Sequence, residues 1–379
     1  MKRIINLLVC CCLIIGVIPM TKAEAFSESD ISARSAILIE ADTGKIIFEK
    51  NAYEKLPMAS TTKIMSTLLS IESGNLDEYF TVDSNAIKVE GSSMGLVEGD
   101  IVTKRALCYG MLLPSGNDAA NATAVKVAGS VEGFVAMMNE KAEKLGLYDT
   151  HFVTPSGLDD DTDEHYSTAY DMAMLTREAM RNETFAQMCS EKSVCIEYGN
   201  PPYRRWLSNT NKLLGTCEGV NGVKTGFTDK AGRCLVSSCE RDGVKLICVT
   251  LNAPNDWQDH NRLYNYGCSL LCNVELQCDY YGFSVDVVGG EKQGIICSVK
   301  GKPTATILNT QVDNITSEVF LPRFLYAPVV QGEKVGEIRF YCENEQVAAI
   351  DILANENVLA TQPIEKSFWD KIKDKFIFE

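Results

Sequence analysis

The chain has 379 residues, 45% of them hydrophobic, and a formal net charge of −15 at pH 7. A surface this acidic does not suit a polyanion, so nucleic acid is set aside as a partner. The length exceeds what one hydrophobic core usually supports, and two domains are expected.

The amino terminus opens with Lys2 and Arg3, runs apolar from Ile4 to Ile18 and reaches Ala23-Glu24-Ala25 before Phe26. This is the order of a secretory signal peptide, residues 1–25, with cleavage placed after Ala25. A lipid-modified Cys10, Cys11 or Cys12 is the less favoured reading, because these lie inside the apolar run without small residues before them. No later stretch reaches the roughly 18 apolar residues of a membrane span. The expectation is an exported protein, peripheral on the outer face of the cytoplasmic membrane or secreted. The 15 cysteines would ordinarily suggest disulfides in such a protein. Their spacing is irregular, however, and Cys108, Cys234 and Cys248 sit in apolar runs, so reduced core thiols are preferred.

Strands are expected at Ser35–Ala41 and Lys45–Lys50 around the turn Asp42-Thr43-Gly44. A helix should begin near Ser60 and run to Ser73, burying Ile64, Met65, Leu68, Leu69 and Ile71, with Gly74 as its stop. Helical patterns follow at Lys104–Leu113, 118–129, Glu132–Leu145 and Ala169–Arg181, and strands return at Ser193–Glu197, Gly222–Thr225, Arg233–Cys239 and Lys245–Leu251. Asp256–Leu271 reads as a closing helix. Strands from both ends of one domain with helices between them make an α+β arrangement: an antiparallel sheet with helices plus a helical lobe, spanning 26–275, with the active site between the lobes. Residues 276–362 turn to short strands and read as a small all-β domain. In 363–379, Phe368, Trp369, Ile372 and Phe376 fall at helical spacing beside Lys366, Lys371, Lys373 and Lys375. This suits an amphipathic helix associating with the cell membrane, or a terminal helix packed on the β domain.

Three short motifs carry the chemistry: Ser60-Thr61-Thr62-Lys63, Ser115-Gly116-Asn117 and Lys224-Thr225-Gly226. Each alone has a plain reading as a helix start, a capped helix–helix turn or a strand end. Together they fit acyl transfer by a serine. A hydroxyl needs a partner to take its proton, and Lys63 lies one helical turn from Ser60. Lysine acts as a base only with a lowered pKa, through burial or a second cation such as Lys224. Lys224 and Thr225 also offer an ammonium and a hydroxyl to a chain-terminal carboxylate, and Gly226 would let a substrate backbone lie close to the strand. Arg233 adds to the positive field or is an ordinary strand-start arginine.

The set resembles that of penicillin-binding proteins and class A β-lactamases. The chain resembles in particular the low-molecular-weight penicillin-binding proteins, the serine-type D-alanyl-D-alanine carboxypeptidases, over roughly 30–275 and more loosely beyond. His151-Phe152-Val153-Thr154-Pro155-Ser156-Gly157-Leu158 and Tyr264-Asn265-Tyr266-Gly267 extend the likeness. The resemblance implies a β-lactamase/transpeptidase-like catalytic domain followed by a small all-β domain. It implies Ser60 as acyl-ester nucleophile, Lys63 as proton acceptor, Ser115 as proton relay and Asn117 as a support for Lys63 and a substrate amide. Lys224, Thr225, Gly226, Phe227 and Arg233 would bind substrate, and the amides of Ser60 and Phe227 would form an oxyanion hole. The implied partners are a peptidoglycan stem peptide ending in D-Ala-D-Ala and β-lactams as covalent inhibitors, with no metal or cofactor.

Other readings fit less well. Gly91-Ser92-Ser93-Met94-Gly95 matches a nucleophile elbow, but no helical pattern follows it. His151, His165 and His260 lack metal-ligand or triad spacing and are expected to be structural. A secreted β-lactamase would share all three motifs, yet the chain has no Glu-x-x-Leu-Asn string for deacylation; Asp159-Asp160-Asp161 to Glu164 reads as a solvated loop. An inert envelope scaffold is the remaining alternative.

Overall fold

The computed structural model describes residues 26–159, 162–277 and 282–361. The signal-peptide reading at 1–25 and the amphipathic segment at 363–379 lie outside the described residues.

The first domain follows chain order as β1 (Ser35–Glu40), β2 (Ile46–Lys50), α1 (Lys63–Glu72), β3 (Tyr79–Thr81), β4 (Ile101–Thr103), α2 (Lys104–Leu112), α3 (Asn117–Ala128), α4 (Val131–Lys144), α5 (Ala169–Arg181) and α6 (Glu183–Ser190). It continues with β5 (Ser193–Gly199), β6 (Pro202–Ser208), β7 (Val220–Thr228), β8 (Gly232–Arg241), β9 (Val244–Leu251) and α7 (Asp256–Leu270). The main sheet runs β2-β1-β9-β8-β7, antiparallel throughout, and the β1–β9 ladder brings the two ends of the domain together.

Alternation along the strands gives this sheet two cores. Ile37, Ile39, Ile247 and Val249 join the helical lobe, whereas Ala36, Leu38, Leu246 and Cys248 join Leu263 and Tyr264 of α7. β1 is accordingly buried along its whole length. α1 is the central helix of the lobe, and every residue from Lys63 to Ile71 is buried. The expected apolar residues are all among them.

The second domain holds β10 (Leu271–Glu275), β11 (Phe283–Val288), β12 (Gly294–Val299), β13 (Thr304–Leu308), β14 (Ile315–Phe320), β15 (Phe324–Tyr326), β16 (Lys334–Cys342) and β17 (Glu345–Ala354). A pair β10-β13 and a sheet β14-β16-β17-β12-β11-β15 share one core. β10 follows directly on α7 and pairs in register with β13, while Leu271 also packs in the core around Leu263 and Tyr264. The eleven cysteines among the described residues form no disulfide with one another, and most of them are buried.

Candidate active site

The site is built where α1 begins. Ala59–Thr62 form a tight 3-10 turn that feeds directly into α1 and carries half-buried Ser60 at its outer edge. The turn is locked from within: Thr61 Oγ1 donates to Met58 O at 2.6 Å and Thr62 Oγ1 to Ala59 O at 2.8 Å. Thr62 Oγ1 is also 2.8 Å from His165 Nε2. His165 Nδ1 accepts from Val153 N at 2.9 Å, which leaves the hydrogen on Nε2 to donate to Thr62. Burial lowers the His165 pKa to about 4, so the ring stays neutral and structural, as expected. Ala59 has φ of 49°, a conformation that costs a non-glycine residue energy and is held here by its surroundings.

Two glycines let other segments close on this turn. A Cβ on Gly157 would stand 2.0 Å from Ala59 O, and one on Gly226 would stand 3.0 Å from Met58 O and 3.2 Å from Ser60 N. Gly226 therefore makes room for the serine's own turn.

Lys63 is fully buried and gathers three acceptors: Ser60 Oγ at 2.8 Å, Asn117 Oδ1 at 2.8 Å and Ser156 O at 2.6 Å. Burial first, and then the nearby Lys224 charge, push its pKa well below the ordinary lysine value, against a smaller opposing pull from Asp118. Lys224 is itself 1% exposed; burial lowers its pKa to about 7, and its ammonium donates to Thr225 O at 2.9 Å. The second cation anticipated beside Lys63 is present. Lys224 is thus buried beneath the groove, whereas Thr225 and Arg233 are among the residues that line it.

The turn between α2 and α3 carries Ser115, with φ of 66°, and then Asn117 at the start of α3. Asn117 is tied on three sides: its amide N donates to Ser92 O at 2.7 Å, Nδ2 donates to Glu90 O at 2.7 Å, and Oδ1 accepts from Lys63. The segment 91–100 is irregular, with no strand before it or helix after it, which bears out the rejection of a nucleophile elbow.

Ser60, Ser115, Thr225, Gly226, Phe227 and Arg233 line one groove, together with Ser92, Thr210, Lys212, Asp256 and Trp257. Lys63, Asn117 and Lys224 lie beneath it. Thr225 Oγ1 is 2.7 Å from Thr210 Oγ1, and Phe227 is 63% exposed at the rim. Arg233 makes a two-pronged pair with buried Asp256, at 2.7 and 2.8 Å, and lies 5.4 Å from the Trp257 ring. Among the described residues no group of three or more His, Cys, Asp or Glu side chains is placed to hold a metal. Asp159, expected on a solvated loop, is 1% exposed and accepts from Thr228 Oγ1 at 3.1 Å. Residue-type patterns miss Ser156 O, Gly157 and Thr210, since backbone groups and lone threonines leave no signature, although Thr154-Pro155-Ser156-Gly157 lies in the string that marked the family resemblance.

This architecture is the penicillin-binding protein/transpeptidase-like fold. A family model described as D-alanyl-D-alanine carboxypeptidase matches residues 21–255, and the C-terminal domain of penicillin-binding protein 5 matches residues 281–360. The chain belongs to the D-alanyl-D-alanine carboxypeptidase family. It is 30% identical over 377 residues to the D-alanyl-D-alanine carboxypeptidase DacF of Bacillus subtilis, covering 94% of this chain and 95% of that one. It is 33% identical over 349 residues to DacC of Escherichia coli, covering 86% and 84%. The crystal structure of the D-alanyl-D-alanine carboxypeptidase DacD from Francisella tularensis superposes with a TM-score of 0.63 at 28% identity, covering 87% of this chain and 94% of that one.

Proposed function

We propose that the chain is a serine-type D-alanyl-D-alanine carboxypeptidase that removes the terminal D-alanine from peptidoglycan stem peptides through an acyl-Ser60 intermediate. The observation that carries this reading is the position of Lys63 Nζ, 2.8 Å from both Ser60 Oγ and Asn117 Oδ1 at the buried floor of the groove. Ser60 Oγ attacks the carbonyl of the penultimate residue as its proton passes to neutral Lys63. The developing oxyanion is held by the amides of Ser60 and Phe227, a reading supported by the close approach of Gly226, the residue before Phe227, to Ser60 N. Ser115 passes a proton to the leaving amine, D-alanine departs, and water then cleaves the ester. Thr225, Thr210 and Arg233 offer the hydroxyls and cation for the terminal carboxylate.

The leader at 1–25 and the segment at 363–379 support an enzyme exported to the outer face of the membrane. Incubation with a D-Ala-D-Ala peptide is expected to release D-alanine, and penicillin is expected to leave one slowly lost adduct per chain by intact mass. An adduct that persists in Ser60→Ala would sink the nucleophile assignment; rapid multiple turnover of penicillin would overturn the carboxypeptidase reading in favour of a β-lactamase.

A further inference from the structure

β5 and β6 form a hairpin that pairs with no other strand among the described residues, and a lone two-stranded hairpin is marginal without a second attachment. Tyr198, Leu207, Val194 and Ile196 pack it against the core of the helical lobe, and its polar attachment to the neighbouring segment 94–100 is made by Arg205. The guanidinium lies 4.0 Å from the ring centroids of both Tyr198 and Tyr203, donates to Gly95 O at 2.6 Å and faces Asp100 at 3.6 Å. The Arg205 and Asp100 side chains are only 11% and 3% exposed. Arg205 Nε is buried without an acceptor among the described residues, a cost that the two rings offset. Tyr198 Oη adds a bond to Met94 O at 2.6 Å.

The hairpin therefore grips residues 94–100 through their carbonyls and Asp100. On the other side of the same segment, Asp118 accepts from Ser93 Oγ at 2.6 Å, Met94 N at 2.9 Å, Leu96 N at 3.0 Å and Gly95 N at 3.1 Å. The start of this segment is what Asn117 holds on to, through Ser92 O and Glu90 O. Asn117 in turn accepts from Lys63. The segment has no helical or strand ladder of its own, so its position depends on these side-chain ties.

We propose that Arg205, with Tyr198, is a positioning residue for the reaction: it clamps 94–100 and, through Glu90 and Ser92, fixes the orientation of the Asn117 amide beside Lys63. This inference rests on the proposed function for its kinetic arm. Its structural arm does not, because the exchange of loop amides reports on the clamp even in a chain that turns over nothing.

The test compares wild type with Arg205→Ala, Tyr198→Phe and Arg204→Ala. Arg204 is the exposed neighbour, 3.9 Å from Glu197, and serves as control. Hydrogen–deuterium exchange at the amides of 94–97 should accelerate in Arg205→Ala and, to a smaller degree, in Tyr198→Phe. On a D-Ala-D-Ala peptide, kcat should fall about tenfold or more in Arg205→Ala with a smaller change in KM, because geometry at the reacting atoms is lost rather than substrate contact. Tyr198→Phe should fall between, and Arg204→Ala should match wild type. If Arg205→Ala does not fold, Tyr198→Phe decides the question. Unchanged amide exchange, kcat within twofold of wild type in folded protein, or an equal loss in Arg204→Ala would each overturn the clamp.

Discussion

Lys63 Nζ stands 2.8 Å from Asn117 Oδ1, in a contact where the lysine has to give a hydrogen. A second hydrogen goes to Ser156 O at 2.6 Å. A neutral amine has only two hydrogens, so once Lys63 loses its proton the remaining lone pair faces Ser60 Oγ. The two acceptors thus aim the base as well as hold it.

Asn117→Asp tests this geometry. A carboxylate in place of Oδ1 favours the ammonium form of Lys63 and raises its pKa. The rate of penicillin acylation should fall at least about tenfold at pH 7, and the rising limb of its pH profile should move to higher pH by about one unit or more. A limb that stays in place would show that Lys63 is not the group that titrates.

Lys224 links catalysis to stability. Its pKa is about 7 in the fold against 10.5 for a free side chain, so the unfolded chain binds the extra proton between those values. Stability therefore rises with pH across this window and is lowest below about pH 7, where the buried ammonium is charged. Relative to Lys224→Met, the wild type should gain about 1.4 kcal/mol for each pH unit between 7.5 and 9.5 in urea unfolding. The same variant removes a charge that lowers the Lys63 pKa, so its acylation profile should shift to higher pH. A stability difference that does not change with pH would refute the assigned shift.

Gly157 gives a steric test. Its φ is +88° and an added Cβ would meet Ala59 O at 2.0 Å, whereas Gly129 has φ of +81° and an added Cβ there would meet nothing within 4 Å among the described residues. Both alanine variants carry the backbone strain of a positive φ, about 1 kcal/mol. Only Gly157→Ala must also displace the Ser60 turn. It should lose about 2–4 kcal/mol of stability and about a hundredfold in acylation, while Gly129→Ala acylates like wild type. Equal behaviour of the two would remove Gly157 from the support of the turn.

Much of this was readable in the residues because hydrophobic period and chemistry agreed. Ala169–Arg181 coincides with α5, and the three motifs converge on one groove. α6 follows α5 with only Asn182 between them, so no glycine or proline marks a second helix. β6 begins at Pro202 and its residues are largely exposed, so it lacks the alternation that identifies a strand. β15 is three residues long. In the site, residue types pointed to Lys224 and Gly226 but not to the side of β7 on which each acts. Lys224 is buried, Gly226 packs against the nucleophile's turn and Thr225 lines the groove, a difference set by strand register and packing. The third acceptor of Lys63 is a backbone carbonyl, which every residue possesses.

Recognition of the substrate's free carboxylate should run through Arg233. Simple truncation is a poor test, because Asp256, with its side chain only 3% exposed, would lose its counter-charge, and the penalty would mix fold with function. A cycle separates the two. Arg233→Gln and wild type are each assayed on a D-Ala-D-Ala peptide with a free and with an amidated C-terminus. If Arg233 contacts the carboxylate, wild type should prefer the acid by roughly 1.5–3 kcal/mol in kcat/KM, the usual worth of a hydrogen bond to a charged group. Most of that preference should vanish in Arg233→Gln, whatever damage the loss of the Asp256 pair does to both substrates alike. If the preference survives in full, the carboxylate is read by the Thr210–Thr225 hydroxyl pair, and Arg233 serves only to hold Asp256 and the start of α7 in place.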